Sequence, residues 1–197
     1  MLAKHGVVFD GTDTATTPED IAQCAALLET SGFWSKRYTL HPNQGRVKNW
    51  LWVHQKYRDQ SQALLEMVPE ERPVLADIVK LTAAFEKLEG KIKSHSAFED
   101  EQLFSFFEQH VRTSAASMKV LMDDHQTTTD SSKVEEALKE GNTKGNIYDA
   151  LEAYHNRLLA HLAREEDAVL PVWLGLSEEQ YQELRNGMSW KYRVMYG

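Results

Sequence analysis

From Val47 to Val172 apolar side chains recur every three or four positions, in four runs separated by short polar breaks. In the first run Trp50, His54, Tyr57, Ser61, Leu65 and Val68 are spaced 4, 3, 4, 4 and 3 apart. That spacing is one face of a helix. Pro69-Glu-Glu-Arg-Pro73 ends it, because proline has no N–H to give and its ring crowds the preceding turn. The second seam, from Ile78 through Leu81, Phe85, Leu88, Ile92, His95, Glu99 and Leu103 to Phe106, averages 3.5 residues per step. This is the period of helices packed side by side, and it predicts a helix over 73–110. Gly90 inside it costs roughly 1 kcal/mol. A third helix is predicted over 112–140 from Met118, Leu121 and His125, although its pattern fades after Thr128. The fourth seam, Ile147, Leu151, Tyr154, Leu158, His161, Glu165, Ala168 and Val172, predicts a helix over 146–172 that Pro171 helps to end. Ser177-Glu-Glu-Gln180 reads as a capping box opening a short last helix. Upstream, Thr17-Pro18-Glu19-Asp20 reads as a helix start, with the helix running to about Thr30 and a loop following.

These elements predict an all-α protein: an up-down-up-down four-helix bundle over 47–175. A helical head, 1–46, is expected to pack on it, and a short helix and tail, 176–197, to follow within one domain. The tail, Trp190 to Tyr196, is aromatic and basic, and is expected to form a dimer contact rather than fold over the bundle. The chain is thus expected to be a monomer or a homodimer.

Composition narrows the partners. The 197 residues are 42% hydrophobic, enough for one full core, and carry a net charge of −8. An acidic balance argues against nucleic acid or an anionic membrane surface as partner. Cys24 is the only cysteine, so no intrachain disulfide can form; it reads as a small buried hydrophobe. The start, MLAKHGVVFDGTDT, lacks the apolar stretch of a signal peptide, and no run approaches the roughly 18 apolar residues of a membrane span. A cytoplasmic location is expected.

The chemistry lies in what interrupts the seams. Each bundle helix places a histidine inward: His54, His95, His125 and His161. Two of them are followed four residues later by a glutamate on the same face, Glu99 and Glu165. With 8 His and 19 Glu, chance alone yields about 0.8 such pairs, so the pairs themselves say little. Their position says more, because seams rarely hold a carboxylate unless it is paired or bound to metal. No arginine or lysine shares these seams, so the two glutamates call for a cation. Imidazole with carboxylate suits first-row transition metals. Without that cation the carboxylates would face each other with raised pKa values. Replacing both by leucine would then leave the metal-free bundle at least as stable.

The segments His95-Ser-Ala-Phe-Glu99-Asp100 and His161-Leu-Ala-Arg-Glu165-Glu166 resemble the two His-x-x-x-Glu blocks of the hemerythrin-like family, the HHE cation-binding domain. Trp52-Val-His54-Gln-Lys-Tyr57-Arg resembles its first-helix block and Leu121-Met-Asp-Asp-His125 its third-helix block. The four histidines are 41, 30 and 36 residues apart, in the family's order, and the resemblance covers about 47–175. It implies a non-haem centre of two iron ions, oxo- or hydroxo-bridged, with zinc, nickel or manganese as other occupants of such a site. Glu99 and Glu165 would bridge; His54 and His95 would hold one metal, His125 and His161 the other. The family's oxygen carriers have a further histidine one turn away on the third helix, where this chain offers Leu121 and Thr129. Their fourth-helix carboxylate falls five residues after its histidine, which here is Glu166 rather than Glu165. The departures turn the expectation from oxygen carriage to binding or sensing of oxygen, nitric oxide or iron status. The alternative is a di-iron enzyme of oxidase or peroxidase type, or an iron donor in iron–sulfur cluster repair.

The remaining candidates have plainer readings. His5 and His41 fall in irregular segments and read as solvated, and His110 as a favourable charge at a helix C-terminus. His155 lies six residues before His161, off the seam. Tyr57 and Tyr154 read as core packing, with a hydrogen bond to a ligand histidine as the alternative.

Overall fold

A computed structural model describes residues 38–68, 74–128, 130–140, 144–190 and 192–193. The helix expected over Thr17–Thr30, Cys24 within it, and His5 lie outside these residues. The described residues form helices and no strands. A 3₁₀ turn, Gln44–Val47, leads into α1 (Lys48–Glu66). Helix α2 (Leu75–Phe98) passes through a π-helical segment, Glu99–Phe104, into α3 (Ser105–His110). After a 3₁₀ turn at Arg112–Ser114 come α4 (Ala115–Thr128) and α5 (Ser132–Glu140). The 32-residue α6 (Lys144–Gly175) and the short α7 (Glu178–Gly187) complete the chain. Helix α6 packs along α1, α4 and α5, α1 packs along α2, and α2 meets α5, which closes the bundle.

The seam residues of α1 and α6 are buried throughout, from Trp50 to Val68 and from Ile147 to Val172. Three details differ from the periodicity. The third helix is two helices, broken near Asp130 and Ser131. There the Ser132 N–H donates to Asp130 Oδ1 at 3.1 Å and the Ser131 carbonyl accepts from the Val134 N–H. Local side-chain and turn bonds of this kind outcompete a helix whose apolar pattern has faded. Second, the π segment adds one residue to a turn and rotates the seam. Leu103 and Phe104 are both buried, and Phe107 faces the core in place of Phe106. Phe106 is half-buried and stacks on His110, ring centroids 4.1 Å apart, at the end of α3. Third, Pro171 does not end α6, which runs on to Gly175. Proline removes one helical bond at a cost of about 3 kcal/mol. Val169, Leu170, Val172, Trp173 and Leu174 around it are all buried, and their packing outweighs the loss. The expected capping box is present: the Gln180 N–H donates to Ser177 Oγ, and the Ser177 N–H donates to Gln180 Oε1.

Trp173 packs its ring against Trp50 and Phe107, and Phe85 packs edge-on against Tyr154, within one buried apolar core. The histidines and glutamates of the seams lie in the same interior. Among the described residues no helix is long and apolar enough to cross a membrane.

Candidate metal centre

All six seam residues meet in the bundle interior, each at most 4% exposed. His54 from α1, His95 from α2, Glu99 from the start of the π segment and Glu165 from α6 each bring a donor atom within 4.8 Å of the others. His125 from α4 and His161 from α6 do the same with Glu165, which belongs to both groups. The helical period places His95 over Glu99 and His161 over Glu165: their Nε2–Oε1 distances are 3.1 and 3.0 Å. Across helices, His54 Nε2 is 2.9 Å from His95 Nε2, and His125 Nε2 is 2.7 Å from Glu165 Oε1. The other glutamate oxygens bring the two halves together. Glu165 Oε2 lies 3.6 Å from His54 Nε2, and Glu99 Oε2 lies 3.6 Å from His125 Nε2.

Three further carboxylates hold the far nitrogens of the rings. Glu166 Oε1 is 3.0 Å from His54 Nδ1, Asp100 Oδ1 is 2.7 Å from His125 Nδ1, and Asp124 Oδ2 is 2.9 Å from His161 Nδ1. Each of these acids follows or precedes an inward residue of its own helix by one position and serves a histidine on a neighbouring helix. A carboxylate at Nδ1 holds that N–H and turns Nε2 inward, where it can serve as the ligand atom once it loses its own proton. Arg58 Nη1 in turn donates to Glu166 at 2.8 Å, and Arg164 to Asp124. Trp50 donates its indole N–H to Glu99 Oε1 at 2.7 Å. The sequence alone pointed to neither Asp124 nor Trp50. Asp124 sits beside His125, but the ring it holds is 37 positions away.

Burial and pairing oppose each other throughout the cluster, and pairing wins. Burial lowers the His125 imidazole, yet hydrogen bonds to Asp100 and Glu165 carry it up to about 11. Burial lowers His161 too, and Glu165 with Asp124 lifts it to about 9. His54 is raised against its burial by Glu166 and Glu99. Burial pushes Glu99 and Glu165 up, but the surrounding imidazoles hold both below the usual carboxylate range. The raised carboxyl pKa values expected from two facing glutamates therefore do not occur. The histidines supply positive charge that reading the seams for arginine and lysine overlooked.

The donor set suits a metal. Four imidazole nitrogens and two carboxylates face one another in a buried interior, the chemistry that first-row transition ions take. Glu99 Oε2 and Glu165 Oε2 are both buried with no hydrogen-bond partner among the described residues. A cation would satisfy these two oxygens, and a packed core offers no other reason to leave them bare. Glu166 lies outside this group: its oxygen is bonded to the far side of His54, and Glu165 is the inward carboxylate.

The remaining candidates stand apart. His155 bonds Ser61 Oγ at 2.8 Å, His110 lies 3.7 Å from Glu183, and His41 Nδ1 accepts from the Asn43 N–H at 3.1 Å. Tyr57 donates to the Lys91 carbonyl and turns its ring edge to His95 at 5.3 Å. Tyr154 donates to Glu89, a buried acid whose other oxygen meets Lys93 Nζ at 3.2 Å. In the tail, Tyr192 folds over the bundle rather than away from it, its ring 4.6 Å from that of Phe98.

Neither the curated proteins nor the solved structures give a match to this chain. A family model does: that of the Hemerythrin HHE cation binding domain matches residues 47–173, the stretch that carries all six inward donors. The chain therefore belongs to the hemerythrin family of HHE cation-binding domains.

Proposed function

We propose that this chain is a non-haem di-iron protein that binds or senses a small ligand, oxygen or nitric oxide, or reports iron status. The observation that carries the reading is the double cluster sharing Glu165, with an unbonded buried oxygen on each of Glu99 and Glu165. His54 and His95 would hold one ion, His125 and His161 the other, with Glu99 and Glu165 between them. Iron in such a site supplies exchangeable coordination positions and a one-electron couple. The protein's own part is to orient and to exclude water. Glu166, Asp100 and Asp124 keep three imidazoles in the tautomer that presents Nε2 inward. Trp50 holds Glu99 by one oxygen and leaves the other free. The buried core of the bundle keeps bulk water from the donors, which strengthens every charge interaction there.

Metal analysis of protein purified from iron-supplemented cells tests the centre; about two ions per chain are expected for a site with two shared carboxylates. A content settling near zero or one removes the dinuclear reading. An optical titration from anaerobic to aerobic buffer, repeated with nitric oxide, then tests the ligand: a saturable spectral change is expected with at least one gas. No change with either leaves iron status as the signal.

A further inference from the structure

Between α1 and α2 a groove of about 540 Å³ opens to the surface, a volume in the range of small-molecule sites. Its lining is mostly apolar, with the rings of Trp52 from α1 and Tyr192 from the tail at its sides and the buried Tyr57 at its base. Tyr192 is fixed there by its ring contact with Phe98 and by donating its hydroxyl to the Ser94 carbonyl at 3.3 Å. Trp52 is 61% exposed, a large apolar ring that the core does not use. Three lysines, Lys56, Lys87 and Lys91, stand around the groove against one carboxylate, Glu86. That balance is the reverse of the chain's, which is −8. Lys91 is held by Gln60 at 2.7 Å, and Lys56 lies 5.4 Å over the Trp52 ring and 4.0 Å from Asp59, while Lys87 has no ion pair among the described residues. His95 forms part of the groove's wall, and the same ring belongs to the metal cluster.

We propose that this groove binds a small planar aromatic carboxylate. The exposed Trp52 ring on its wall favours a flat ring laid against it by stacking, which an aliphatic chain does not gain. The lysine ammoniums supply the anion's counter-charge at the solvent edge, where a carboxylate keeps part of its hydration. The site is separate from the inward donors, and its occupant lies against the outer side of His95.

Isothermal titration calorimetry with 2-naphthoate as the probe tests this on the full-length protein. One saturable site with a Kd below about 1 mM is expected. The neutral isostere 2-naphthylmethanol should bind at least about fivefold more weakly, because it lacks the charge the lysines meet. Trp52→Ala and the pair Lys56→Gln/Lys87→Gln should each weaken naphthoate about tenfold. All three side chains face solvent, so circular dichroism should show an unaltered fold. Absence of saturation up to about 5 mM overturns the proposal, as does equal binding of the alcohol or an unaltered Kd in both variants. Metal content is measured on the same samples, so a failed groove and a failed metal site give different results.

Discussion

Asp124→Ala separates the orienting network from the donors themselves. Asp124 is not one of the grouped inward donors; its Oδ2 accepts the Nδ1–H of His161 at 2.9 Å and a bond from Arg164. Burial would raise its carboxyl, but His161 and Arg164 hold it down at about 2, so it is an anion at every working pH. Removing it leaves His161 in place, 96% enclosed by its packing, but frees the ring to take the other tautomer or to flip. Loss of such a carboxylate behind a ligand histidine costs roughly 10- to 100-fold in metal affinity, or about 1.4 to 2.8 kcal/mol. Asp124→Asn should recover much of this, since an amide oxygen can still accept the Nδ1–H. In chelator, where no metal contributes, the alanine variant also loses two bonds to charged partners at a partly exposed position, about 1 to 2 kcal/mol. At roughly 2–4 °C per kcal/mol for a chain of this size, the melting temperature should fall by about 2–8 °C. The assay is competition for iron against a chromogenic chelator of known affinity. Asp123→Ala serves as the control, because Asp123 is exposed and, among the described residues, is paired only with Lys119 at 3.9 Å. An Asp124→Ala protein that holds iron as tightly as Asp123→Ala would refute the orienting role.

His155→Ala should keep full metal content, whereas alanine at His54, His95, His125 or His161 should each lower it, measured by metal analysis of the purified variants. A loss in His155→Ala with none in His125→Ala would reverse the assignment of α4 and α6. Glu99→Leu/Glu165→Leu should abolish metal binding. In chelator it should melt below the wild type, by about 3 kcal/mol or more, because it strips acceptors from the Trp50 N–H and from buried imidazoles. Equal or higher melting of that variant would restore the expectation from the seams, that two leucines serve the metal-free core as well. Gly90→Ala should raise stability by about 0.5–1 kcal/mol in urea denaturation, since a Cβ there meets no atom within 4 Å and the helix gains from alanine. A destabilised Gly90→Ala would mean that α2 needs glycine's freedom at that point.

The sequence determined the long helices of the bundle, most of their seams and five of the six inward donors, because these follow from a period of three to four residues that leaves a mark on neighbouring positions. His95 with Glu99 and His161 with Glu165 are each set by one helical turn, and the need to bury a seam brings the turns of different helices together. The capping box at Ser177 was legible for the same reason: its partners are three residues apart. Tertiary structure decided what depends on contacts between helices. It assigned Glu165 inward and Glu166 to the back of His54, a choice of about one residue's rotation that the Glu-Glu pair leaves open. It found Asp124 behind His161 and the Trp50 N–H on Glu99, whose partners are 37 and 49 positions away. It also carried α6 past Pro171, where buried neighbours outweigh one lost backbone bond, and turned Phe107 inward through the π segment, which sequence spacing does not register. Local periodicity fixes which face of a helix is buried; which atoms meet across the interior depends on how four such faces settle against one another.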